Sequence, residues 1–428
     1  MEKEKSLLKT FAGTAGLRIS GQLCTIVSGI FFARLLGPEE YGKYSLILSI
    51  IAISVLPATA GLPELIIREI SKYRVGNKCF KLNGILVWSL FFVLVTSTVC
   101  CVILMALSSN NIFSEDINSL LIIGIVLIPI RALLVRQSAV INAFKYTELS
   151  QFPSMILAPF ILLILVLFLF FFGIKMDSLS LVYMQVITAS IACLVGFILL
   201  KYVLNKEGVI NQHRAYNIKS WHKSLLPFTL LVVVGVMNNE LGILALGIFS
   251  NSESVAFFKV ASQGGAVLAI GLQTASAVTG PRVVRLYHKG DLLKTQKLLD
   301  ESVKLSSYLS LPAAFLLIFF GEYLIGLLFG DEYGASSKLL TILCFGQIFN
   351  ILSGSVGMVL NMTGNESYTL KTQLFTLLVT LLLLLVLVPR YHEIGAAISI
   401  STSLILWNII MAYNVYRLTG LKTWFRFS

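Results

Sequence analysis

Residues 372–388 read TQLFTLLVTLLLLLVLV, and residues 158–172 read APFILLILVLFLFFF. Neither stretch contains a charge. A helix of a soluble core keeps a polar face for water, whereas these stretches carry no charged residue on any face. About 20 such residues cross the hydrocarbon of a bilayer as a helix. Comparable stretches run end to end through the 428-residue chain, separated by short polar gaps. The spacing therefore predicts an all-α integral membrane protein with about twelve transmembrane helices. The spans fall at about 12–36, 43–66, 82–107, 117–143, 148–172, 179–204, 225–249, 253–279, 303–329, 335–362, 370–388 and 394–418.

The composition agrees. Hydrophobic residues make up 57% and charged residues 13%, about half the charge of an average soluble domain. A net charge of +12 invites a nucleic-acid reading, but the distribution of the basic residues opposes it. They gather in loops on one side of the predicted membrane, most densely at 67–82, 205–224 and 281–302. That is the positive-inside pattern, and it places these loops and both termini on the cytoplasmic side of a multi-pass membrane protein. The polar start MEKEKSLLKT has no signal-peptide pattern. The six cysteines, Cys24, Cys79, Cys100, Cys101, Cys193 and Cys344, lack zinc or redox spacing and read as small apolar fillers.

The spans divide into two similar halves. Each has six, and each carries its heaviest basic loop after its second span. The expected organisation is an N-terminal six-helix lobe at 1–204, a cytoplasmic linker at 205–224 and a C-terminal six-helix lobe at 225–428, the two lobes enclosing a central cavity. Repeats in the same orientation around a central path are a transporter plan. Pro57, Pro63, Pro129, Pro153, Pro159 and Pro312 lie within spans, where each removes a backbone donor and favours a kink.

Polar residues inside spans are the candidate site, since an ionisable group at the middle of a membrane helix costs about 2.5–3.5 kcal/mol on insertion scales. In the first span Thr14, Arg18, Gln22, Thr25 and Gly29 follow helical spacing and share a face. Arg18 either attracts an anionic group from a cleft or snorkels to the headgroups. Arg131 and Arg136 are five residues apart and point about 140° away from each other. Arg131 shares a face with Ser138 and Asn142, and Arg136 is expected to pack on another helix or an acidic partner. Guanidinium groups fork onto two phosphate oxygens, so such a set suits a pyrophosphate. Glu240, beside Asn238 and Asn239, is the most deeply embedded acid. It could carry a proton or a cation, or pair with a base. Lys259 and Gln263, with Thr274, mark one face of the eighth span. Gln347 and Asn350, with Gly354, Gly357 and Asn361, mark a face of the tenth, as cavity lining or close packing.

Other chemistries find no support. All four histidines lie in predicted loops, which excludes an intramembrane histidine relay. There is no P-loop, no triad, no paired-carboxylate constellation and no metal-ligand pattern. The outer loops are too short for a catalytic domain, so the chain does not read as an enzyme and needs no cofactor.

RISGQLCTIVSGIFFARLLGPEEYGKYSL at 18–46, GPRVVRLYHKGD at 280–291, FGEYLIGLLFGDEYGASSKLL at 320–340 and YHEIGAAISIS at 391–401 carry a resemblance. Together, in order and across essentially the whole chain, they resemble the polysaccharide exporter branch of the multidrug/oligosaccharidyl-lipid/polysaccharide superfamily, and within it the O-antigen (Wzx-type) flippases. The resemblance implies two six-helix lobes around a V-shaped cavity and alternating access. It implies movement of an undecaprenyl-pyrophosphate-linked oligosaccharide repeat unit, for O-antigen or a similar surface polysaccharide of lipopolysaccharide biosynthesis, from the cytoplasmic to the periplasmic leaflet. Membrane lipids, a polysaccharide polymerase and chain-length proteins would be the partners. The motifs do not map a family binding site onto Arg18 or Arg131. A multidrug or metabolite exporter of the same superfamily remains an alternative, as does a membrane-embedded polymerase or acyltransferase.

Overall fold

The computed structural model describes residues 2–76, 78–110, 114–173, 176–209 and 214–426, with side chains omitted for 2–15, 17–19 and Pro227. Ten helices among them are long and apolar enough to cross a membrane. Two of these are interrupted by a residue with positive φ. Gly37 (φ 73°) interrupts the helical run Glu2–Ser54, and His392 (φ 47°) interrupts Glu366–Thr419. Each of these two runs thus supplies two spans, bringing the ten to twelve. The first is α1 (2–36) and α2 (38–54). After a one-turn helix at Leu56–Thr59 come α3 (Leu62–Val75), α4 (Cys79–Ser109), α5 (Glu115–Gly124), α6 (Leu127–Ala143), α7 (Thr147–Phe171) and α8 (Ser178–Lys206). The remainder are α9 (Ile218–Phe249), α10 (Ser252–His288), α11 (Leu292–Phe329), α12 (Ser336–Ser353), α13 (Val356–Met362), α14 (366–391) and α15 (393–419).

Proline explains several of the breaks. Pro57 and Pro63 stand in the first turns of Leu56–Thr59 and α3, where a missing N–H has no helical partner to lose. Pro153 opens a π-helical turn at Pro153–Leu157 within α7, and Pro159 starts the α-helix that follows it. Pro312 lies inside α11, which continues through it.

The chain folds as two compact units. One comprises Met1–Leu36 and Ile47–Val236, the other Gly37–Leu46 and Met237–Ser428. In the first, Leu65, Ile66 and Ile70 of α3, Ile85 and Trp88 of α4, Val140 and Ile141 of α6 and Val203 of α8 form a buried cluster. Trp221 of α9 is fully buried there. Its Nε1 donates to Tyr73 Oη at 3.0 Å, and its ring centroid lies 5.2 Å from that of Trp88. Ahead of it, the Ala215 N–H donates to the Phe80 carbonyl at 2.9 Å. The segment from Ala215 to Trp221 is therefore anchored to α3 and α4. The break after α2 is fixed in the same way. Thr229 Oγ1 donates to the Ala60 carbonyl at 2.9 Å, and Gly61 adopts φ 74° against the backbone of Phe228 and Thr229.

In the second unit a tyrosine cluster holds 37–46. Tyr41 stacks with Tyr44 and meets Tyr333 edge-on, and Tyr333 also meets Phe257 and Phe329. The expected loop 281–302 is largely helical, a departure from the sequence reading. The helices α10 and α11 run to His288 and from Leu292 because their extensions are amphipathic. Val283 and Leu299 enter a cluster with Val359, Leu360, Met411 and Val415, while Arg282 and Lys297 stay outside it.

Candidate functional site

The most ordered polar arrangement inside the spans is an amide ladder in the second unit. Gln347 and Asn350 are three apart on α12 and so share a face. Asn350 Nδ2 donates to Gln347 Oε1 at 3.2 Å. Asn408 of α15, fully buried, donates through Nδ2 to Asn350 Oδ1 at 3.1 Å and to the Leu404 carbonyl at 2.9 Å. Gln347 packs beside Gly265 of α10, where a Cβ would lie 3.9 Å from its Cγ, an ordinary contact. A buried amide without partners is costly, so the ladder orients each side chain through the next. Its inner end is enclosed, while Gln347 and Asn350 are half-buried. Such a row presents donors and acceptors suited to hydroxyl groups.

A second group lies on α10. Lys259 and Gln263, four residues apart, share a face. Gln263 Nε2 donates to Tyr41 Oη at 2.8 Å, and its Oε1 is buried without a hydrogen-bond partner among the described residues. One end of this amide is thus committed to holding 37–46, and the other keeps acceptor capacity. Lys259 is attracted by the carboxylate of Glu240 on α9. The two embedded charges, singled out separately by sequence for binding and for ion coupling, therefore act on each other. That is the arrangement expected of ionisable groups in a low-dielectric setting.

In the first unit the predicted residues are more dispersed. The side chains of Thr14 and Arg18 lie outside the described residues. Gln22 is half-buried, and Thr25 Oγ1 donates to the Gly21 carbonyl of its own helix at 2.9 Å. The Thr25 proton is therefore used within α1, a common fate of threonine in membrane helices. Arg131 is half-buried and partnered. Arg136 is buried, with Nε donating to Ser89 Oγ at 3.1 Å and Nη2 to the Leu86 carbonyl at 2.7 Å. It packs on another helix, α4. Among the described residues no group of three or more His, Cys, Asp or Glu could hold a metal ion.

Sequence reasoning missed Asn408 and Tyr41. The one signal for Asn408 is a single amide in the apolar run ILWNII at 405–410. Tyr41 offers none, because its partner stands 222 residues away.

The family described as polysaccharide biosynthesis protein matches residues 31–338. The chain belongs to that family. The match contains Arg131, Glu240, Lys259 and Gln263, and leaves Arg18, Gln22, Thr25, Gln347 and Asn350 outside it. Among full-length relatives, the capsular polysaccharide biosynthesis protein CapF of Staphylococcus aureus is 24% identical over 414 residues, covering 93% of this chain and 96% of the relative. The fold is that of transporters in the multidrug/oligosaccharidyl-lipid/polysaccharide superfamily. The inward-facing multidrug resistance MATE family transporter matches with TM-score 0.77 at 15% identity, over 95% of this chain and 98% of that one. The inward closed lipid II flippase MurJ matches with TM-score 0.71 at 15% identity, over 94% and 87%. The sequence-based expectations of family and fold class thus hold. The named relative and structural neighbours are a biosynthesis protein, a transporter and a flippase.

Proposed function

We propose that this polysaccharide biosynthesis family member is a flippase for a lipid-linked oligosaccharide. It carries an undecaprenyl-pyrophosphate-linked repeat unit for O-antigen or a similar surface polysaccharide between the leaflets of a bacterial inner membrane. The observation that carries the reading is the family match across most of the chain, in a protein with the fold shared by a lipid II flippase. The embedded residues support it. A sugar headgroup needs hydrogen-bonding side chains, which Gln347, Asn350 and Gln263 supply, and a diphosphate needs cations. In this reading Arg18, Gln22, Thr25 and Arg131 receive the diphosphate, with Arg18 first as the substrate leaves the cytoplasmic leaflet. Lys259, Gln263, Gln347 and Asn350 face the sugars. Glu240, whose charge attracts Lys259, couples an ion to the cycle. The two six-helix halves alternate access, and both termini lie in the cytoplasm. A polymerase and chain-length proteins take the product on the far side.

A second reading is export of drugs or metabolites, favoured by the TM-score of 0.77 to a multidrug transporter. Deleting the gene separates the two. The flippase reading expects surface polysaccharide to disappear, the lipid-linked unit to accumulate inside and drug sensitivity to stay unchanged. Intact polysaccharide with new drug sensitivity would overturn it.

A further inference from the structure

We infer that the first unit holds a binding site for one anionic phospholipid, at the basic end of α4 and α8. The two helices both pack on α6, and a cavity of about 260 Å³ opens between them. This is just below the usual range for drug-sized ligands, a size suited to a small headgroup and the start of an acyl chain. Its lining is divided by chemistry. Leu86, Val87 and Phe197 give an apolar wall, and Asn83, Lys201 and Asn205 bring polar groups to one end.

Three observations point to a lipid with a negative headgroup. First, the surface around the cavity is apolar and exposed: Leu194 is 66%, Phe197 60% and Ile198 65% exposed, as for a face turned to acyl chains. A ligand reaching the cavity from that side comes from the bilayer. Second, Lys201 is exposed and has no ion-pair partner among the described residues. It stands where the apolar run of α8 gives way to the polar residues Asn205 and Lys206. An ammonium group and side-chain amides are the donors that a phosphate oxygen accepts from. Third, Arg136 sits behind the wall. Its guanidinium donates to the carbonyl of Leu86, a residue that lines the cavity. Among the described residues its partners are neutral, Ser89 Oγ and that carbonyl. A buried cation without a carboxylate is poorly compensated, and an anion held in the cavity supplies charge on the near side. Basic pockets between membrane helices on the cytoplasmic side are suited to anionic headgroups. This inference rests on the membrane-spanning fold and stands apart from the transport reading.

The test is native mass spectrometry of the full chain in mild detergent. The probes are phosphatidylglycerol, phosphatidylcholine of the same chain length, undecaprenyl phosphate and inorganic phosphate. One phosphatidylglycerol should be retained and phosphatidylcholine should not. Lys201→Ala should raise the half-saturating concentration about fivefold, the effect of one basic residue near a charged leaflet. Lys297→Ala, which removes a charge in the other unit, should leave it unchanged. Val87→Trp, filling the cavity, should abolish retention. Equal retention of both phospholipids, or wild-type binding by both Lys201→Ala and Val87→Trp, would overturn the site. Displacement of the phospholipid by inorganic phosphate alone would make it a free-ion site. Displacement by undecaprenyl phosphate at lower concentration than phosphatidylglycerol requires would make it a site for the carrier lipid. Either result contradicts the inference.

Discussion

Gly61→Ala should destabilise the first unit by two separable effects. The residue sits at φ 74°, a conformation that costs an L-residue about 1–2 kcal/mol. A Cβ there would also lie 2.6 Å from the Thr229 backbone nitrogen and 2.8 Å from Phe228 Cβ. Contacts this close force apart the break after α2 and α9 at Phe228 and Thr229, about three turns from its start, and overpacking of this kind costs about 1–3 kcal/mol. Gly208 provides the control. It adopts φ 64°, and a Cβ at this position would meet nothing within 4 Å, so Gly208→Ala bears the conformational cost alone. Effects on the unfolded chain are shared by the two variants and cancel in the comparison. The difference, about 1–3 kcal/mol, is therefore the steric cost of moving α9 off the break. At about 2–4 °C per kcal/mol for a unit of this size, Gly61→Ala should melt about 2–12 °C below Gly208→Ala. Thermal denaturation of the purified protein in detergent, followed by size-exclusion chromatography, measures this. Equal melting of the two variants would refute the docking of α9 against Ala60 and Gly61.

Four further outcomes follow from other residues. Asn408→Leu should cost about 1–3 kcal/mol of stability, since it leaves the Asn350 Oδ1 acceptor without its donor. It should also lower surface polysaccharide by leaving Asn350 and Gln347 unoriented, and wild-type polysaccharide levels would show the ladder to be packing alone. Asp177 caps α8, its Oδ1 accepting from the Ser180 N–H at 2.9 Å and from the Ser180 hydroxyl. These bonds hold its pKa below the ordinary carboxylate value, so its contribution is present above about pH 4 and is lost as pH falls through the lowered folded-state pKa. Asp177→Ala should thus cost about 1 kcal/mol at pH 7 and converge with the wild type in acid; a pH-independent difference between the melting curves would exclude the charged cap. In the proposed cycle, Arg18→Ala should abolish surface polysaccharide at normal membrane levels and Arg18→Lys should retain part of it, because lysine keeps the charge and loses the fork. Glu240→Gln should stall gradient-driven transport in a folded protein, and normal transport by that variant would leave Glu240 only its attraction to Lys259.

The spans are legible in the sequence because nothing but a bilayer tolerates TQLFTLLVTLLLLLVLV, and LGPEEYG and VPRYHE mark the breaks at Gly37 and near His392. The shared face of Gln347 and Asn350 is also legible, because three-residue spacing fixes it within one helix. What sequence does not supply is the partner on another helix. Asn408 completes the ladder from 58 residues away, and Arg136 finds its acceptors on α4, 47 and 50 residues earlier. The charged segment 281–302 reads as a loop because its hydropathy is low. Its burial of Val283 and Leu299 depends on Val359 and Met411, which local periodicity does not reveal.

The most direct test of the central proposal is transport itself. The purified chain is reconstituted into proteoliposomes with a fluorescent, undecaprenyl-pyrophosphate-linked oligosaccharide, and the sugar exposed on the outer leaflet is followed by its accessibility to an added glycosidase. The account predicts protein-dependent exchange of the sugar between leaflets, accelerated by an imposed ion gradient and reduced in Asn408→Leu. Exchange no faster than in protein-free vesicles under every gradient, from protein that remains folded, would contradict it.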